Sequence, residues 1–408
     1  MGDPINSIGS WLEGILLGWG LPAGLVSAIL ALLGVVVMCS LLLVLDIFLV
    51  WVERKVVARF QDRVGPNRLG PFGLIQPVAD IIKLLIKEDI TPAGADKIVF
   101  NIPPIIALAT VLLLWAVIPL APTVLGGDIN VAVLFIVAVG AVGTLGIIMA
   151  GWASNNKYAL LGAFRTVAQM VSYEVPMLIA LLIPVLLARS MGLQNIVSAQ
   201  NVWFILVVPL VAIIFFISMI AELGRAPFDI NEAESEIVAG FHIEYTGMKF
   251  GMFYAGELLH AITLSAVFST LFLGGWRGPG AEQYPVLGVF YLLAKAFILY
   301  YVIMWVKYSF PRLRIDQMLG FGWKFLIPLA LGLLIVIAVL DRILVISFQV
   351  QPSTPVYVIS MLAANVIIAL VTVLGLRSYA QLQRKRFSED RPVAIAPEAD
   401  FKELIGQE

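Results

Sequence analysis

The chain is poor in the residues that build redox and metal centres. It has one cysteine, Cys39, and two histidines, His242 and His260, in 408 residues. One thiol cannot make a disulfide framework or hold an iron–sulfur cluster. Cys39 lies in an apolar run and reads as a small packed hydrophobe. There is no Walker loop, Rossmann glycine pattern or paired-cysteine spacing. The chain by itself therefore has no recognisable nucleotide or electron-carrying centre. Charge is scarce too: 13% of residues are charged and 61% are hydrophobic. A soluble domain is roughly a quarter charged and under half apolar. Apolar surface on this scale requires lipid as the solvent. No Lys or Arg precedes the first long apolar run, which is also too long for a signal-peptide core. It reads as a retained transmembrane helix.

Apolar stretches near the length that spans a bilayer, roughly 20 residues, recur about nine times. The approximate spans are 24–52, 99–120, 131–151, 166–188, 203–222, 250–273, 286–308, 324–346 and 356–377. Lipid demands that each segment satisfy its own backbone hydrogen bonds, and barrel-like alternation is absent. The expected fold is all-α: a polytopic membrane protein of about nine transmembrane helices. Residues 1–377 read as one helical membrane domain, and 378–408 as a polar tail that extends the last helix. Alternate connections hold most of the Lys and Arg, against only Arg189, Arg277 and Arg342 on the other side. The positive-inside rule puts the C-terminus in the cytoplasm and the N-terminus outside. Between the first two spans, Phe72–Glu88 reads as an amphipathic helix with Ile75, Val78, Ile82, Leu85 and Ile86 on one stripe. It lies at the membrane interface or walls an opening from the bilayer.

Ionisable groups within membrane spans are costly and point to function. Asp46 and Glu53 are seven residues apart, on roughly one helix face. Glu53, Arg54 and Arg63 surround a Gly-Pro turn and suit a polar head-group site, whereas Lys55, Arg59 and Arg68 suit topological anchoring. Glu174 is expected about two turns inside the fourth span. Glu257 is expected at a similar depth in the sixth, with His260 one turn on. A Glu-x-x-His pair can bind metal, but di-metal sites need it twice with further carboxylates, so no metal is expected. Lys295, near the middle of the seventh span, is either half of an internal ion pair or a member of a proton path. Seven acids fall in residues 222–257: Glu222, Asp229, Glu232, Glu234, Glu236, Glu244 and Glu257. Helix capping explains about two of them. Clustered carboxylates raise one another's proton affinity, so such a group can hold and pass protons.

These residues carry a resemblance. Glu53-Arg54-Lys55 with Gln61-Asp62-Arg63-Val64-Gly65-Pro66-Asn67-Arg68 forms one motif, and Gly70-Pro71-Phe72-Gly73 leading to Asp80 another. Ser154 to Arg165, Ser172-Tyr173-Glu174, Glu222-Leu223-Gly224-Arg225-Ala226-Pro227-Phe228-Asp229 and Pro311-Arg312-Leu313-Arg314-Ile315-Asp316-Gln317 follow in order. Together they resemble the NuoH family, the membrane component of respiratory complex I at the junction of its two arms. The resemblance runs from the first span to about the eighth. It implies that Glu53, Arg54 and Arg63 belong to a quinone chamber. It implies that Arg225, Phe228, Asp229, Glu232, Glu234 and Glu236 line that chamber. Glu174, Glu222, Glu244 and Glu257 would form a glutamate path for protons. The implied substrate is menaquinone or ubiquinone. FMN and iron–sulfur clusters would lie in partner subunits of the peripheral arm, with further partners in the membrane arm and no nucleic acid. The ninth span and tail resemble longer bacterial forms. Two other readings compete. One is the homologous anchor of a membrane-bound hydrogenase or a ferredoxin- or F420-linked dehydrogenase, which co-purified partners would reveal. The other is a stand-alone transporter, which predicts inverted repeats that the sequence does not display.

Overall fold

The computed structural model describes residues 4–230, 238–351 and 354–389. Among the described residues it is all helical, with no strand. Eight helices are long and apolar enough to cross a membrane. They are α2 (Ala23–Phe60), α4 (Lys97–Leu114), α5 (Ala132–Ala153), α6 (Lys157–Ala188), α10 (Gly247–Phe272), α11 (Pro285–Ser309), α12 (Ile315–Ser347) and α13, whose apolar part is Pro355–Gln381. The helix of α13 continues to Glu389.

The fifth expected span is broken. It divides into α8 (Phe204–Val207) and α9 (Pro209–Glu222) at Val208, which has φ −132° and ψ 63°. Pro209 explains the break: its ring disfavours helical geometry in the residue before it and it donates no hydrogen bond. The remaining 14 residues of α9 rise only about 21 Å. Gln200 seals the region by donating to Thr270 O at 2.8 Å and Leu271 O at 3.1 Å.

Three further departures bear on the site. The fourth span begins at Lys157, capped by the Asn156 side chain, and not near 166. Glu174 is therefore close to the middle of a 32-residue helix rather than two turns from its end. Helix α12 is continuous but carries π turns at Gly322–Leu326 and Ile343–Ser347. Two further helices, α1 (Pro4–Gly18) and α7 (Leu193–Ala199), lie outside the expected spans.

Burial is arranged for lipid. Helix α10 is the most enclosed span, while α2 and α13 expose most of theirs. Large apolar side chains such as Leu32, Val44, Ile298 and Ile367 point outward, a surface that water would penalise. The amphipathic segment forms α3 (Gln76–Ile86). Its stripe of Ile75, Val78, Ile82, Leu85 and Ile86 faces outward, while Asp80 pairs with Arg54 of α2. Its polar edge thus meets the bundle and its apolar edge faces away, as an interfacial helix requires.

Candidate functional site

Apart from Val26 and Ala58, helix α2 buries one narrow stripe: Leu42, Asp46, Leu49 and Glu53. Spacings of four, three and four residues put these on one helical face. Two of the four are acids, on a helix that otherwise faces outward. Glu53 accepts hydrogen bonds from Lys307 Nζ at 2.9 Å and Tyr308 Oη at 2.7 Å, both at the end of α11. The chain leaves α9 through Gly224, whose φ of 61° suits a residue without a Cβ. Arg225 follows and is fully buried. Its guanidinium carbon lies 5.6 Å from the Tyr300 ring centroid, a cation–π distance. Desolvation pushes Arg225 down, but Glu53, Tyr300, Glu257 and Tyr308 more than offset it. The guanidinium is held above its ordinary range and stays charged. Its hydrogen-bonding neighbour is Tyr300, and among the described residues no acid forms a direct ion pair with it.

A second group of acids lies further in. One cavity is walled by α4, α5, α10 and the turn after α9, and it is lined by Glu222, His242, Tyr254, Glu257 and His260. A smaller cavity is lined by Glu174, Met177, Phe215, Glu222 and His260. Glu222 and His260 belong to both. His260 Nε2 lies 4.0 Å from Glu222 Oε1. Glu257, the His260–Glu222 pair and Glu174 therefore follow one another through the bundle. Gly140 lines both cavities and Gly143 the first, so α5 presents little side-chain bulk there. His242 lies outside the spans, and its burial lowers its proton affinity. Its imidazole is thus neutral at pH 7.

Local contacts fix this arrangement. Gln169 of α6 donates to Ala221 O and to Phe228 O, each at 2.7 Å. One carboxamide thereby holds the end of α9 and the turn after it. Phe228 packs on Tyr173 with ring centroids 5.1 Å apart, and Tyr173 Oη donates to Met318 O of α12 at 2.9 Å. A Cβ on Gly162 would come within 2.7 Å of the Gly240 backbone, so α6 meets that loop with no room for a side chain.

The residues singled out from the sequence divide accordingly. Glu53, Arg225 and Phe228 gather at the first cluster, with Arg54 beside it on Asp80. Glu174, Glu222 and Glu257 line the cavities. Arg63 is exposed and Asp229 half-buried. Glu244 accepts from Asn156 Nδ2 at 2.7 Å. Lys295 stands apart, donating to the carbonyls of Leu273, Gly275 and Arg277 at 2.8–2.9 Å. All three ammonium protons are taken there. Glu232, Glu234 and Glu236 lie outside the described residues. Sequence reasoning overlooked His260 as a partner of Glu222, because Glu-x-x-His invited only a metal reading. Nothing in the sequence signals that Lys307 returns to Glu53.

The sequence model of the family described as NADH dehydrogenase matches residues 32–338. The H subunit of the NADH-quinone oxidoreductase of Dehalococcoides mccartyi strain CBDB1 is 50% identical over 303 residues, covering 74% of this chain and 84% of that one. The first-numbered H subunit of the Geobacter metallireducens NADH-quinone oxidoreductase is 48% identical over 299 residues, 71% and 89% of the two chains. The Thermomicrobium roseum H subunit is 45% identical over 315 residues, 72% and 91% of the two chains.

Proposed function

The chain belongs to the NADH dehydrogenase family that includes the H subunits of bacterial NADH-quinone oxidoreductases, and from that premise we propose that it couples quinone reduction to proton movement in such a complex. It is a membrane-embedded subunit of an oxidoreductase. Having no cysteine set for clusters and no nucleotide motif, it works with partner subunits of the peripheral arm that carry FMN and iron–sulfur clusters.

One observation carries the coupling. Buried Arg225 follows Glu222 by three residues, and the Glu222 side chain lines both cavities; the field of this cation reaches Glu53 and Glu257. Negative charge arriving on a quinone head group beside Glu53 would compete for Arg225 and alter the field on Glu257. From Glu257 the proton path runs past His260 and Glu222 to Glu174. The guanidinium of Arg225, with Arg54 and Arg63 nearer the surface, suits a carbonyl-bearing ring. Asp229, Glu232, Glu234 and Glu236 complete the chamber in this reading, and Glu244 stands at the outer start of the path.

The test is photolabelling of the assembled complex with an azido-quinone. Label is expected in the peptides holding Glu53–Arg63 and Glu222–Ile230, and competing quinone should remove it. Arg63→Ala should weaken quinone reduction several-fold while NADH oxidation by ferricyanide persists. Label confined to other subunits, with normal quinone kinetics in the variant, would exclude this chain from the site.

The orientation is also part of the proposal. Counting α9 gives nine crossings, which with the Lys and Arg bias puts the N-terminus outside and the C-terminus in the cytoplasm. A reporter fused after Arg386 should be active only in its cytoplasmic form. Activity of the periplasmic form would mean that α9 or α13 does not cross.

A further inference from the structure

The family match ends at residue 338, and α13 lies beyond it. Among its described side chains the buried ones lie in its first half. Tyr357 Oη donates to Asp341 Oδ1 at 2.7 Å, and Tyr357, Met361 and Asn365 are buried. Spacings of four residues make these one stripe. A groove lies between α12 and α13, lined by Lys324, Phe325, Leu329, Val336, Ile368 and Leu376, with Gly332 and Gly375 also in its walls. A Cβ on either glycine would meet nothing within 4 Å.

The two ends of the groove differ. The end near Val336 is apolar. At the other end Lys324 is exposed, as are its neighbour Trp323 and, just beyond Leu376, Arg377. Among the described residues Lys324 has no acidic partner. Trp323 is tied down by donating to Ser172 Oγ at 3.0 Å. A tryptophan beside exposed cations marks the membrane–water interface. The length fits one leaflet. Lys324 to Val336 spans 12 residues, about 18 Å at 1.5 Å per residue. Half of a hydrocarbon core is about 15 Å.

We propose that the groove between α12 and α13 is a binding site for an anionic phospholipid of the leaflet on the basic side of the bundle. An acyl chain lies against Phe325, Leu329 and Ile368, and the phosphate meets Lys324 and Arg377. A zwitterionic lipid could fill the same groove but would gain less from the two exposed cations. Each basic residue near such a surface favours an anionic lipid by about fivefold.

The experiment uses the assembled complex in phosphatidylethanolamine vesicles. These are doped with a diazirine-acyl phosphatidylglycerol or, in parallel, a diazirine-acyl phosphatidylcholine. The glycerol probe should label peptides 324–336 and 368–376 at least about fivefold more than the choline probe. Lys324→Gln should remove most of that preference without changing labelling elsewhere on the chain. Gly332→Leu and Gly375→Leu, which the open space accommodates, should depress labelling by both probes in these peptides alone. Equal labelling by the two head groups overturns the proposal, as does a preference that survives Lys324→Gln. Photochemical capture of another protein's helix in the groove, in place of lipid, overturns it as well.

Discussion

Glu222→Gln and Glu174→Gln are each expected to lower quinone-linked NADH oxidation and proton pumping together, by about 100-fold, the smaller end of what a positioned proton-transfer group contributes. Gln matches Glu in shape and keeps hydrogen-bonding capacity, but it cannot release a proton to a neighbour. Glu222 lines both cavities and Glu174 the inner one, so a defect at either interrupts the same route. The driving field is large enough. A unit charge about 4 Å away, at an effective dielectric near 20, is worth about 4 kcal/mol. One unit of pKa corresponds to about 1.4 kcal/mol, so a fraction of that field moves a proton. Ferricyanide reduction by NADH should be untouched, because it uses only the partner subunits. His260→Phe should reproduce the defect, since His260 lies 4.0 Å from Glu222 and lines both cavities. Fully assembled Gln variants with normal turnover and normal pumping stoichiometry would show that these acids are structural.

Arg225→Leu should be the most damaging single change to assembly. Arg225 is completely buried against Tyr300 and balances Glu53 and Glu257. Removing one partner of a buried charge set costs about 3–5 kcal/mol, because the remaining charge is left uncompensated. That is comparable to much of a typical domain's net stability. Blue-native electrophoresis should show little intact complex, and what assembles should inactivate at a lower temperature. Arg225→Lys keeps the charge but loses the planar contact with the ring, so an intermediate loss is expected. Adding Glu53→Gln to Arg225→Leu should recover part of the yield, since it removes one stranded charge. The two substitutions would then be non-additive, as neighbours in one network are. Wild-type yield and thermal stability in Arg225→Leu, or strictly additive losses, would mean that Glu53 and Arg225 act independently.

Much of this molecule follows from its sequence for reasons that are local or set by the solvent. A 61% hydrophobic chain must face lipid, and lipid forces each span into helix. Helix periodicity puts Asp46 and Glu53 on one stripe of α2 and identifies the acids that lie inside spans. The long motifs of residues 53–68 and 222–236 likewise point to the family. Local signals failed where a distant contact or one special residue decided the outcome. Pro209 divides an otherwise uniform apolar run, and capping by Asn156 starts α6 nine residues early. Which polar groups meet was not legible at all. Lys307 reaches Glu53 across 254 residues of chain, and Gln169 grips Ala221 and Phe228 across more than 50. Lys295 satisfies its charge on three carbonyls instead of joining the acids. The sequence by itself determined the solvent, the helices and the supply of buried charge, because these depend on composition and on spacing along the chain. Only the tertiary structure decided the pairings of those charges and put Glu222 and His260 on the wall shared by two cavities. Buried polar groups take whichever partners the packed bundle brings within a few ångströms.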